Sequence, residues 1–231
     1  MRPTTARAAT TRASGPSPAA TARPLRADAE RNRQRIMRAA AAVFAERGLQ
    51  ASLDEVARRA GVGVGTVYRR FPTKEAIAGA VLAERVDALA TLAEHASAEP
   101  DAWTGQASFL EKAGAEITAD RALRQVCTYQ ISRRDWADHA RARMQLALTK
   151  LIERAQQAGA LRTDLRPTDI PLIEIMLGAV AAYTHPAQLH SWRRCLLLIL
   201  DGLRQSRVGT TALPEPSLSP AASQQATRPG R

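Results

Sequence analysis

Apolar residues recur at three- and four-residue spacing through most of this chain, and no segment shows a convincing period-two alternation. That pattern predicts helices and no sheet. Ile36, Ala40, Val43 and Phe44 form the inner stripe of a first helix, expected over about residues 28–47, with Arg31, Arg33, Arg35 and Arg38 around it. Gly48 follows as its stop. Ser52-Leu53-Asp54-Glu55 has the form of a capping box, so a second helix starts there and ends at Gly61. A third, short helix covers about residues 64–71, limited by Pro72. Thr73 can cap a long fourth helix, about 74–96, with Ile77, Val81, Leu82, Val86, Leu89 and Leu92 as apolar positions. After the break at Glu99-Pro100-Asp101, helical patterns return near 102–117, 122–132, 136–158, 169–183 and 187–207.

Composition supports the same class. The 231 residues suffice for one or two domains with a real core. Only 4% are aromatic and alanine is abundant, which favours helix over sheet. The net charge is +11, and its distribution matters more than its size. Residues 1–26 hold five arginines and no acid, and residues 27–75 set ten basic groups against six acidic ones. The rest of the chain is nearly neutral. Either a polyanion meets the N-terminal end, or a basic tail adorns a neutral protein. The chain is expected to divide into a disordered basic arm (1–26), a basic unit of short helices (27–75), a longer helical unit (76–207) and a disordered tail (208–231). Pro3, Pro16, Pro18 and Pro24 argue against an amphipathic targeting helix in the arm. No apolar run is long enough to span a membrane, and two distant cysteines fit a reducing cytoplasm.

The sharpest turn is Gly61-Val62-Gly63, between two short helices. That is what a helix-turn-helix requires, and Gly61 can take a positive φ at no steric cost. Val62 and Val67 then join Phe44, Leu53 and Val56 in a small core, and Tyr68 and Phe71 hold the third helix in place. Val64, Thr66, Arg69 and Arg70 are left for an outer face without a carboxylate. Such a face can meet phosphates and base edges, the alternative being a merely solvated surface.

The stretch from Ser52-Leu53-Asp54-Glu55-Val56-Ala57 through Ala60-Gly61-Val62-Gly63-Val64-Gly65-Thr66-Val67-Tyr68-Arg69-Arg70-Phe71-Pro72-Thr73-Lys74-Glu75 closely resembles the signature of the tetracycline-repressor (TetR) family. The resemblance covers about residues 30–80. It implies an all-α homodimer, with a three-helix N-terminal DNA-binding domain and a C-terminal helical domain for ligand binding and dimerisation. It implies phosphate contacts at Thr66, Tyr68 and Lys74 and groove-facing positions at Val64, Gly65, Arg69 and Arg70, with Ser52 counted among the DNA-binding positions. The family often has serine where Gly63 stands, and glycine is a weaker cap. The partners implied are palindromic double-stranded operator DNA, a second copy of the chain and a small-molecule effector.

Trp103, Phe109, Tyr129, Trp136, Met144 and Met176 are candidates to line an enclosed effector pocket, and their character suits a lipophilic or aromatic molecule. Ordinary core packing is the alternative for each. The apolar helix near 171–183, and a stripe of Trp192, Leu196, Ile199 and Leu203, are expected to pair with their copies in a four-helix bundle. His95, His139, His185 and His190 share no metal-binding spacing, so no metal or cofactor is expected. No nucleophile elbow, phosphate loop or paired-carboxylate motif points to an enzyme. The function expected is a repressor released from DNA by its effector. The alternatives are an activator or ligand-independent regulator of the same fold, and a nonspecific architectural DNA-binding protein.

Overall fold

A computed structural model describes residues 18–128, 138–184 and 191–205, together with Thr211, Leu213, Ser217 and Ser219. Within them the chain is all-α: α1 (Pro18–Arg47), α2 (Leu53–Ala60), α3 (Val64–Arg70), α4 (Lys74–Ser97), α5 (Ala102–Ala119), α6 (Arg121–Thr128), α7 (Asp138–Gln157), α8 (Ile170–Thr184) and α9 (Ser191–Leu203). A 3-10 turn, Pro167–Asp169, leads into α8. Helices α2 to α8 fall close to where the apolar spacing predicts them, α9 ends at Leu203 before its expected end, and residues 129–132, 136–137, 187–190 and 206–207 of the expected helices lie outside the described residues. The main exception is α1, which starts ten residues before residue 28. Proline suits the first turn of a helix and alanines at 19, 20 and 22 are strong helix formers, while Pro24 inside the helix forgoes a backbone bond. The last nine residues of the expected disordered arm are therefore helical, and residues 1–17 lie outside the described residues.

Two apolar cores share residues of two helices, α4 and α6. The first gathers Ile36, Val43 and Phe44 of α1, Leu53 and Val56 of α2, Val67 of α3, Phe71, and Ile77 and Val81 of α4. The second gathers Leu89 and Ala93 of α4 with Phe109, Leu110 and Ile117 of α5, Leu148 and Leu151 of α7, Ile173 and Leu177 of α8, and Trp192 and Leu196 of α9. Thus α4 belongs to both, rather than lying on one side of a boundary at residue 75. A second link is α6: Ala122 is buried in the first core and its neighbour Leu123 in the second.

Polar clamps fix the long helices. Arg143 of α7 donates to Asp87 Oδ1 at 2.5 Å, Thr91 Oγ1 at 3.0 Å and Glu94 Oε2 at 2.6 Å along α4. These partners raise the Arg143 pKa and lower that of Glu94. Arg162 pairs with Asp164 at 2.5 Å and donates to the carbonyls of Gly202 and Thr211. That guanidinium holds the Asp164 carboxyl down at about 2. Leu213 N–H also donates to Asp164. Thr211 and Leu213, within the tail expected to be wholly disordered, are therefore tied to the loop between α7 and α8, because Arg162 and Asp164 offer charged partners for their backbone.

The surface apolar residues differ from those expected. Trp192, Leu196 and Leu203 of the stripe assigned to dimer contacts are buried in the chain's own core. Large apolar side chains left outside on the second-core helices are Leu146 on α7, Leu172, Met176 and Tyr183 on α8, and Leu197 and Leu198 on α9, the last 66% exposed.

Candidate DNA interface

The interface is built from the cap upward. The Ser52 amide donates to Glu55 Oε2 at 2.8 Å, and Ser52 Oγ accepts from the Glu55 amide at 3.3 Å, so the expected capping box is formed. The Ser52 amide, with the nearby Arg47 guanidinium, lowers the Glu55 pKa. Arg47 pairs with Glu55, and Arg59 with Glu46 at 2.7 Å, which locks α2 against the end of α1. Gly61 closes α2 at φ 65°, the left-handed region that favours glycine, and Val62 N–H reaches back to Ala57 O at 3.0 Å.

Helix α3 then projects from the small core. Val67 and Phe71 are buried beneath it, and Val62 packs at its edge. Tyr68 was expected to help hold the helix but stands 50% exposed, because its position turns away from the side carrying Val67. Val64, Gly65, Arg69 and Arg70 are exposed, while Thr66 and Lys74 are half-buried. Lys74 opens α4 beside Thr73, whose hydroxyl caps the Ala76 amide at 3.1 Å. Seven of the eight positions assigned to DNA contact therefore cluster on α3 and the start of α4. The eighth, Ser52, is exposed but spends its hydroxyl on the cap.

No acidic residue lies on α3. Among the described residues neither Arg69 nor Arg70 makes an ion pair, whereas Arg31, Arg47, Arg59, Arg143 and Arg162 all do. A Cβ added at Gly63 or Gly65 would meet nothing within 4 Å. Neither glycine is demanded by packing within the chain.

The likeness to known proteins follows this geometry. Residues 36–81 match the family model "Bacterial regulatory proteins, tetR family", and residues 99–205 match "Transcriptional regulator SbtR-like, C-terminal domain". A TetR transcriptional regulator from Streptomyces coelicolor is 35% identical, with 75% of this chain and 99% of that one covered and a TM-score of 0.56. The chain belongs to the TetR family of transcriptional regulators. A TetR regulatory protein from Mycobacterium vanbaalenii is 36% identical, with 78% and 99% covered and a TM-score of 0.55. A curated relative, the HTH-type transcriptional regulator SrpR of Pseudomonas putida, is 49% identical over 65 residues, which are 28% of this chain and 30% of that protein. The protein is thus a helix-turn-helix DNA-binding regulator, of a family whose members are generally not enzymes.

The described candidate pocket residues of this TetR-family chain do not converge. Phe109 is fully buried in the second core, and Met144 is half-buried against it. Met176 is 50% exposed on the outer side of α8. Trp103 lines a partly open groove of about 570 Å³ between α5 and α9, with the Arg204 guanidinium 4.6 Å from its ring centroid. That groove lies on the α9 side of α5, because Leu196 and Leu200 fold back there, and it is not the enclosed pocket expected between Trp103 and Met176. Tyr129 and Trp136, like His185 and His190, lie outside the described residues. Two residues missed by the sequence reading are Gln106 and Glu174, both buried in the second core. Their position on otherwise apolar stripes was the available signal.

Proposed function

We propose that this chain is a homodimeric cytoplasmic repressor that holds palindromic operator DNA until a small-molecule effector releases it. One observation carries the DNA half of the reading: α3 presents Arg69 and Arg70, exposed and without acidic partners, on a face that Val67 and Phe71 anchor from below. A guanidinium left free can bond guanine O6 and N7 together. Thr66, Tyr68 and Lys74, flanking that face, suit phosphates, which position the protein without reading sequence. The exposed apolar side chains of α8 and α9 support pairing with a second copy, which would bring two recognition helices to successive major grooves.

The effector half is supported by the joints between the cores. α4 runs through both, and α6 packs Ala122 against one and Leu123 against the other. Asp120 fixes the start of α6 by accepting from the Leu123 amide at 2.9 Å, and lies 3.4 Å from Arg85 Nε of α4. A ligand that favours one packing of the second core can thereby shift the first, provided it binds the two states unequally.

Binding to the DNA upstream of the chain's own coding region, set against random DNA over a salt series, tests the reading. Arg69→Ala or Arg70→Ala should lower affinity by roughly 1–3 kcal/mol at particular base pairs and relax preference there. Lys74→Ala should weaken all sequences alike and reduce the salt slope by about one. Equal binding of both DNAs by the unaltered protein would refute sequence-specific regulation.

A further inference from the structure

The second core contains two polar side chains that its packing leaves unused. Gln106 of α5 is 0% exposed, and neither Nε2 nor Oε1 has a hydrogen-bond partner. Glu174 of α8 is 6% exposed, and its Oε1 has none. Both lie on inward stripes, Gln106 with Ala102, Phe109, Leu110 and Ala113, and Glu174 with Ile170, Ile173 and Leu177. Apolar residues there would fill the core without stranding a polar atom, so the two groups cost stability. Buried polar groups are normally satisfied, and an exception calls for a function.

The helices place them in one region. A Cβ on Gly114 would lie 3.3 Å from Leu177, and one on Gly178 lies 3.5 Å from Ile117, so α5 and α8 run side by side with rising numbers in step. Gln106 is two turns before Gly114, about 12 Å, and Glu174 about 4.5 Å before Leu177. Both therefore sit on the N-terminal side of the same contact. The charged group that α6 brings nearest along this face is Arg124. Its stem lies against Gly178, one turn beyond Glu174, and its guanidinium is committed to the carbonyls of Ile117 and Thr118. It does not neutralise Glu174. On the other elements packed against α8, Glu111, Lys112, Glu116, Arg121, Arg193 and Arg194 are exposed, and Asp169 faces its own turn by accepting from the Arg166 amide.

We infer that the interior between α5 and α8 receives the effector, and that the effector is a lipophilic cation, its charged nitrogen or phosphorus held by the Glu174 carboxylate and its flank by the Gln106 amide. This rests on the reading of the chain as an effector-responsive regulator and narrows that effector to one chemical class. Shape alone would not discriminate in so apolar a core. A carboxyl with no neutralising partner does, because its ionised form attracts a cation, whereas neither of its forms attracts an anion of the same size. Burial pushes the Glu174 carboxyl up to about 8, so at neutral pH the empty site holds it protonated and a bound cation displaces that proton.

Tetraphenylphosphonium and tetraphenylborate, nearly equal in shape and opposite in charge, are the probes, titrated into the full-length protein by calorimetry. The cation should bind roughly tenfold or more tightly than the anion. Glu174→Gln, close in shape, should remove that preference, and Gln106→Leu should weaken cation binding by a smaller factor. Circular dichroism and light scattering check that both variants are folded. Equal binding of the two ions by the unaltered protein, or undiminished cation preference in Glu174→Gln, would overturn the inference. The regulator reading fails separately, if the unaltered protein without any probe does not prefer its upstream DNA. If it does prefer that DNA yet ignores the cation, only the cation site falls.

Discussion

Gly65 sits inside the seven-residue α3, where glycine costs about 1 kcal/mol relative to alanine. A Cβ there meets nothing in the chain, so Gly65→Ala should raise unfolding stability by roughly 0.5–1 kcal/mol. If the bare backbone is kept for close approach to DNA, the same variant should lose operator affinity while melting higher. Unchanged affinity in a gel-shift titration would mean that Gly65 does not face the groove. Glu174 bears on stability through its proton. Its folded pKa of about 8 lies above the ordinary 4.5, so the folded state binds more protons between those values. Stability attached to this group is therefore full below about pH 4.5 and is lost as pH rises towards 8. Thermal melts should show a fall in Tm from pH 5 to pH 8 that is smaller in Glu174→Gln. A parallel fall in both proteins would assign the pH dependence elsewhere.

At the scale of elements, the capping box of α2 raises a question that one residue can answer. Ser52 makes the cap, and it also stands exposed. Ser52→Ala removes the acceptor for the Glu55 amide and should cost about 1 kcal/mol of stability. Ser52→Asp restores a capping oxygen and adds a negative charge, which a helix N-terminus tolerates and a phosphate does not. Melting should thus recover in Ser52→Asp while affinity for every DNA sequence falls. Recovery of both would make Ser52 a cap and nothing more. The helices themselves were legible where local signals were dense: the capping box, Gly61 and Pro72 mark α2 and α3 to within a residue. The start of α1 was not, because Pro18 and Pro24 read as breakers while the alanines between them carry the helix.

For the molecule as a whole, the exposed apolar faces of α8 and α9 are the surfaces with most to gain from a second copy. Met176 and Leu198 lie on them, so introducing charge at both, Met176→Glu with Leu198→Glu, should halve the mass seen by light scattering. A monomer would engage one half-site at a time, and operator affinity should drop roughly a hundredfold or more. A dimer that survives both changes would place the interface elsewhere. In such a dimer the shared α4, clamped to α7 by Arg143, would carry a change in the second core to both DNA-binding units.

The sequence by itself determined the all-α class, the helix-turn-helix and the outer face of α3, because each follows from signals a few residues apart: apolar spacing, a cap, a left-handed glycine, a proline stop. Only the tertiary structure decided which sides of the regulatory helices are inside. α8 is apolar almost all round, so its periodicity could not tell Leu177, which is buried, from Met176, which is not. On α9 the stripe of Trp192, Leu196 and Leu203 looked free to meet another chain and instead closes over α5 and α8. Gln106 and Glu174 looked like ordinary polar positions until packing enclosed them. Helical spacing specifies that a face exists, whereas the neighbour it meets depends on residues far away in sequence.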